Sequence, residues 1–206
     1  CGEIPLNMKT EILEKYKELS SEYGDEWTDI AVRSSGTAED MPDASFAGQQ
    51  DTYLNIHGAD NLYQAVKKCW ASLFNSRAIF YRRKQNFSID KVKIAVVVQK
   101  MINSEISGIM FTANPINNKR DELIIEAGYG LGESIVSGSI TPDTYTVEKD
   151  GYKIIDKKLS TQTWKYSKTT LGNKKENVDK NIQSIQKLDD DYIVELSKIG
   201  HNVEKH

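Results

Sequence analysis

The sequence predicts an α+β protein with mostly antiparallel sheets and packed helices, and three observations carry that expectation. Residues 7–23 and about 61–85 repeat their apolar side chains at helical spacing. The run Ile94-Ala95-Val96-Val97-Val98 is rich in β-branched residues. Beyond residue 104 the pattern breaks into short strand-like runs separated by turns. At 206 residues the chain is long enough for one large core or two small lobes.

Met8, Ile12, Leu13, Tyr16 and Leu19 form the stripe of the first helix, and Gly24 ends it. Ile30-Ala31-Val32, broken by Arg33-Ser34-Ser35-Gly36-Thr37, reads as a buried strand that ends in hydrogen-bond donors. Ser45-Phe46-Ala47-Gly48-Gln49-Gln50 is small enough for its N–H groups to close around an anion, and strand-like Thr52-Tyr53-Leu54-Asn55-Ile56 follows. On local physics that turn is either an anion cradle or a plain hairpin. The second helix, about 61–85, places Leu62, Val66, Trp70, Leu73 and Phe74 on one face and gathers Arg77, Arg82, Arg83 and Lys84 near its end, where the helix dipole favours cations. Ile94 to Val98, closed by Gln99 and Lys100, reads as a central strand apolar on both faces.

Further strands are expected at 108–112, 122–126, 144–147 and 152–155, with Asp150-Gly151 as a hairpin signal between the last two. The glycine cluster at 128–133 either cradles a ligand or turns the chain. Residues 161–177, polar and rich in Lys and Thr, predict a mobile surface segment. Helical spacing returns over 178–203 through Ile182, Ile185, Leu188, Tyr192, Leu196 and Ile199.

A formal net charge of −3 with interspersed signs offers no basic face for nucleic acid and no polybasic membrane patch. No apolar run approaches the ~20 residues of a membrane span and no signal segment opens the chain, so a cytoplasmic location is expected. Cys1 and Cys69 are too few for a disulfide framework, and no Cys/His spacing suits zinc. Cys69 is expected to pack beside Trp70 in a helix. A chain opening on cysteine instead of methionine is expected of a processed or excised piece.

Five segments in order, AVRSSGTAEDMPDASFAGQQDTYLNI, KCWASLFNSRAIFYR, IAVVVQKMI, SGIMFTANP and YGLGESIVSGSITPD, resemble the nucleotide-binding domain of phosphoenolpyruvate synthases, pyruvate phosphate dikinases and rifampicin phosphotransferases. The resemblance runs from about residue 27 to 158. It implies an ATP-grasp type fold with ATP between two α+β lobes: about 1–103, holding the phosphate loop and a hinge strand, and about 104–206. It also implies transfer of the β-phosphoryl group of ATP to a histidine on a separate swivelling domain. The expected activity is that of a phosphoenolpyruvate synthase-like dikinase acting on pyruvate. The alternatives are a rifampicin phosphotransferase and a stand-alone, non-catalytic nucleotide-binding module.

On this resemblance Arg33 is the catalytic residue and holds the ATP phosphates, a role that suits an always-charged planar donor fork. Gly48, Gln49 and Thr52 belong to the loop over the phosphates, and Gln99, Lys100, Met101 and Ile102 form the hinge segment beside adenine. Glu133 and Asp143 carry the oxygens that Mg²⁺ prefers, but both are read as structural because the family keeps its metal ligands elsewhere. His57, His201 and His206 lie outside any glycine-rich phosphohistidine motif and read as surface residues. The family's glycine-rich lysine segment, its Asp-x-Glu strand and its Gln-x-Arg strand have no counterpart here. The Mg²⁺ ligands, the phosphohistidine domain and the substrate domain are therefore expected outside this chain, and the chain alone is expected to be inactive.

Gly48→Val is expected to weaken ATP binding more than it weakens folding, because a β-branched side chain blocks both backbone approach to phosphate and positive φ. Calorimetric titration of ATP into the folded variant measures this. Wild-type affinity there would reduce the loop to a hairpin.

Overall fold

Helix α1 (Leu6–Glu22) begins at Pro5, whose fixed φ suits a helix start and whose carbonyl accepts the Lys9 N–H at 3.0 Å. The computed structural model describes residues 2–36, 40–41, 44–45, 51–84, 93–169 and 172–206. They divide into two units, Cys1–Ile102 and Asn103–His206.

In the first unit, the buried Tyr16 of α1 donates its hydroxyl to the Thr28 carbonyl at 2.6 Å and accepts the Gly58 N–H at 3.2 Å. Ser20 donates to the Tyr16 carbonyl and accepts the Thr28 N–H. These bonds satisfy the buried hydroxyls and tie α1 to the segment that leads into the sheet.

That sheet is antiparallel, with β1 (Ile30–Gly36) between β4 (Thr52–Ile56) and β5 (Ile94–Lys100). Between β1 and β4, two residues of β2 (Asp40–Met41) pair with β3 (Ala44–Ser45). Helix α2 (Ala59–Ser72) packs Leu62, Ala65, Val66 and Cys69 against Ile30 and Val32, and Ile4 and Tyr16 complete the core. Among the described residues β5 pairs with β1 alone and alternates between half-buried and exposed, so it is a one-faced edge strand and not the doubly buried central strand expected. Val96 and Val98 meet the core, whereas Val97 is 44% exposed.

The single helix expected over about 61–85 is two, α2 and α3 (Ser76–Lys84). The N–H groups of Leu73, Phe74 and Asn75 bond three residues back, which tightens and ends α2. The Asn75 side chain then accepts the Ala78 N–H at 2.7 Å and starts α3.

In the second unit, β6 (Ile106–Phe111), β7 (Glu122–Tyr129), β8 (Asp143–Glu148) and β9 (Lys153–Lys158) form an antiparallel meander in chain order. Here β7 is the strand buried on both faces. Helix α5 (Asp190–Glu204) lays Ile193 against Leu123, Ile125, Ala127, Tyr145 and Val147. The β8–β9 turn carries Gly151 at φ +73° and Tyr152 at φ +54°, so Asp150-Gly151 does mark a hairpin.

Two other expectations are corrected. Residues 161–177 contain a hairpin, β10 (Trp164–Thr169) with β11 (Gly172–Asn177). Trp164 and Tyr166 stack edge to face at 5.1 Å, and the Lys175 ammonium lies 4.0 Å over the Trp164 ring. Gln162 anchors it, donating to the Tyr129 and Trp164 carbonyls and accepting the Tyr129 N–H. The glycine cluster ahead of the short helix α4 (Glu133–Val136) turns the chain to receive this hairpin. Gly130 sits at φ +86°, where a Cβ would collide with the Tyr166 carbonyl, while Leu131 donates its N–H to that same oxygen at 2.9 Å.

The helix expected over 178–203 is confined to α5, and 178–189 form turns. Asp143 explains the difference, because it claims the backbone just before α5. Its buried carboxylate accepts from the Ser160 N–H at 2.8 Å, the Lys187 N–H at 3.0 Å, the Lys187 ammonium at 2.9 Å and the Tyr145 hydroxyl at 2.9 Å. Burial alone pushes this carboxyl up, but those bonds outweigh it and hold it below the ordinary value.

Asp143→Asn leaves the Lys187 charge buried and unpaired, and should cost about 3–5 kcal/mol at neutral pH. The folded carboxyl titrates below its unfolded value of about 3.9, so its contribution is complete above that pH and lost as pH falls through the lower folded value. Urea unfolding at pH 7 and pH 3 should show a wide stability gap between wild type and variant at pH 7 and a narrower one at pH 3.

Candidate functional site

Strand alternation divides the first unit's sheet into two unlike faces. Ile30 and Val32 of β1, Val96 and Val98 of β5, and Tyr53 and Ile56 of β4 face the helices. Arg33 therefore takes the opposite face, where it is exposed. Its cross-strand partners are Thr52 on β4 and Val97 on β5, both exposed. Directly paired Cβ atoms lie on the order of 5 Å apart, so the guanidinium and the Thr52 hydroxyl share one patch. Gln99, opposite Ala31 and also exposed, lies on the same face two residues along, roughly 7 Å away. A planar cation, a hydroxyl and an amide on an open sheet face make a set that can bind phosphate oxygens at one end and a heterocycle edge at the other.

The ground beneath this patch is fixed from several sides. The Asp51 carbonyl accepts from both the N–H and the hydroxyl of Ser34, and the Tyr53 hydroxyl donates to the Asp51 carboxylate at 3.1 Å. Burial, aided by Asp51, pushes the Tyr53 phenol up to about 12. From α2 the Cys69 thiol donates to the carbonyls of Val32 and Asp51, at 3.7 and 3.8 Å. Burial and the nearby Asp51 push that thiol up to about 11. Cys69 thus packs in the helix as expected, and it also touches the backbone next to Arg33 and Thr52.

Lys100 turns to the helix side, with its ammonium 3.4 Å over the Tyr23 ring. Strand alternation predicts this once Gln99 faces the open side. Met101 donates its N–H to the Asp29 carbonyl at 2.8 Å, and Ile102 is 65% exposed. Gly48 and Gln49 lie outside the described residues. His57 is exposed and pairs with Asp29 at 3.1 Å, His201 bonds the Tyr152 hydroxyl at 3.0 Å, and His206 is exposed.

Of the two carboxylates weighed for Mg²⁺, Asp143 is committed to structural bonds. Asp143 is buried and fully engaged with Lys187, Ser160 and Tyr145, while Glu133 accepts from the Asn173 side chain. Among the described residues no three His, Cys, Asp or Glu side chains converge as a metal site. Nor is any helix among them long and apolar enough to cross a membrane.

Residues 1–206, the whole chain, match the family model described as pyruvate phosphate dikinase, AMP/ATP-binding domain. The chain is 51% identical to a probable phosphoenolpyruvate synthase of Methanocaldococcus jannaschii, a match covering 100% of this chain and 17% of that protein. A probable phosphoenolpyruvate synthase of Pyrococcus horikoshii is 48% identical, with 99% of this chain and 26% of the relative covered. A rifampicin phosphotransferase of Bacillus subtilis is 44% identical, with 98% and 23% covered. The chain thus spans between 17% and 26% of the length of these relatives.

Lys100→Ala should leave ATP affinity within about twofold of wild type, because its ammonium lies over Tyr23 on the far side of the sheet. Titration calorimetry with ATP measures it. A tenfold loss would move that ammonium onto the ligand.

Proposed function

Because this chain belongs to the pyruvate phosphate dikinase AMP/ATP-binding domain family, we propose that it is the ATP-binding part of a phosphoenolpyruvate synthase-like dikinase. The observation that carries this reading is the placement of Arg33, Thr52 and Gln99 on one open sheet face whose reverse side is the core. ATP binds there in the manner of an ATP-grasp protein, with about 1–103 and about 104–206 as the two lobes. Arg33 and Thr52 take the phosphates. Gln99 and the backbone of 99–102 read the adenine edge; since the Met101 N–H is engaged by Asp29, the Gln99 side chain carries most of that recognition.

The full-length protein transfers the β-phosphoryl group of ATP to a histidine on another of its domains and from there to pyruvate, in the cytoplasm. Arg33 matters most as charge spreads over the transferring oxygens, because a preorganised charged donor contributes more as that charge develops. Mg²⁺ accompanies the ATP in this reading; among the described residues no three His, Cys, Asp or Glu side chains converge to hold it. The 44% identity to a rifampicin phosphotransferase supports a second reading in which the acceptor is a rifamycin and the ATP face is unchanged.

Arg33→Ala in the full-length protein should lower kcat/KM for ATP by about 10²–10³-fold, with kcat falling more than KM rises. Steady-state kinetics with pyruvate and with rifampicin separates the two acceptors. An unchanged kcat/KM would take Arg33 out of the site.

A further inference from the structure

The two edges of the second unit's sheet are built differently. Strand β9 carries Lys153, Lys157, Lys158 and Asp156, and the register between it and β8 shifts between Thr146 and Val147. Charges and bulges of this kind keep other strands off an open edge. Strand β6, at the opposite edge, reads ISGIMF, with no charge, no proline and an unbroken register against β7. Among the described residues no strand pairs with its outer side. The Glu105 carbonyl accepts the Gly130 N–H at 2.7 Å, so alternation turns the backbone groups of Ser107, Ile109 and Phe111 to β7. By the same alternation Ile106, Gly108 and Met110 turn theirs to the open edge.

An apolar groove adjoins that edge. Helix α5 lies over β8 and β9, where Asp190 pairs with Lys157 and His201 bonds the Tyr152 hydroxyl. The half of the sheet nearer β6 keeps a groove of about 330 Å³, lined by Ile106, Met110, Ile125, Ala127, Leu188 and Leu196. Tyr192, Leu196, Ile199 and Val203 recur at helical spacing, share one flank of α5 and are all exposed. That flank lies roughly a right angle from the buried Ile193, Ser197 and Gly200. Because His201 turns the other way and Leu196 lines the groove, the flank looks toward β6.

We propose that β6 and this groove accept one further strand, an extended segment matching the length of β6 and supplied by the full-length protein from outside residues 1–206. Its backbone pairs with Ile106, Gly108 and Met110, and its alternate side chains are apolar and fill the groove against Leu196 and Ile199. A docked helix would cover the groove but leave those N–H and C=O groups unanswered, whereas a strand serves both. The chain spans 17% to 26% of the length of its relatives, so those proteins have ample polypeptide beyond the matched stretch to supply such a segment. The inference stands whether or not ATP binds the Arg33 face.

The test uses the full-length protein without nucleotide. Amide hydrogen exchange resolved by residue should show Ile106, Gly108 and Met110 protected like their β7-bonded neighbours Ser107 and Ile109, with exchange slowed about 100-fold or more against a free amide. Alkylation of Ile199→Cys, read by mass spectrometry of the peptide that carries it, should be about tenfold or more slower than that of Glu195→Cys on the solvent side of α5. Both effects should persist on dilution. Free exchange at Ile106, Gly108 and Met110 overturns the inference even if Ile199→Cys is shielded, since something other than a strand then fills the groove. A fully reactive Ile199→Cys overturns the part assigned to the groove. Protection that fades on dilution overturns the inference as well, by making a second copy the occupant. The exchange measurement needs no substitution, so it decides the question if a cysteine variant does not fold.

Discussion

The packing of Ile30 and Val32 against α2 is the constraint on which the first unit depends. Each buried aliphatic side chain contributes about 1.5–3 kcal/mol, and the two-residue period of a strand lets that packing occur in one register only. A slip of one residue would drive Arg33 into the apolar layer formed by Leu62, Val66 and Cys69. The energy that holds the core together is therefore the same energy that presents Arg33, Thr52 and Gln99 to the outside. Tyr16 reinforces the register from the other end, since its hydroxyl links α1, the Thr28 carbonyl and the start of α2 in a single buried contact.

The second unit depends on a polar contact in a comparable way. Asp143 and Lys187 meet with both side chains fully buried. That pair brings together strand β8, the segment after β9 and the turns before α5. An apolar contact in its place would be less particular about partners. The charge pair admits one arrangement of these three segments, and departures from it leave a buried ion exposed to an apolar interior.

Much of the secondary structure was legible in the sequence because apolar periodicity records which side of an element meets the core. Helix α1, strands β6 to β9 and the Asp150-Gly151 hairpin follow directly from such patterns. The misreadings share a cause, which is that local pattern does not report its partner. The valine run of β5 looked doubly buried, yet only alternate residues find a helix; the same spacing continues through Asn75, where a side-chain cap starts a new helix. Residues 161–177 are polar but gain order from Gln162 and from stacked aromatic rings, whose contacts are distant in sequence. The glycine cluster near 130 receives the Tyr166 carbonyl, a contact that its own residues do not announce. Within the candidate site, Arg33 was visible as a charged break after an apolar run. Its alignment with Thr52 needed the strand register.

Cys69 gives the first unit a built-in chemical clock. Both cysteines of the chain, Cys1 and Cys69, precede residue 103, so the second unit has no thiol. The Cys69 thiol is buried and pushed up to about 11, which leaves almost no thiolate at neutral pH and no path for a reagent to reach it. Alkylation at this position has to wait for α2 to lift away from Val32 and Asp51, the movement that also loosens the backbone under Arg33. The rate at which that sulfur is trapped is thus a measure of how often the strand bearing Arg33 comes apart from its support, read without a substitution.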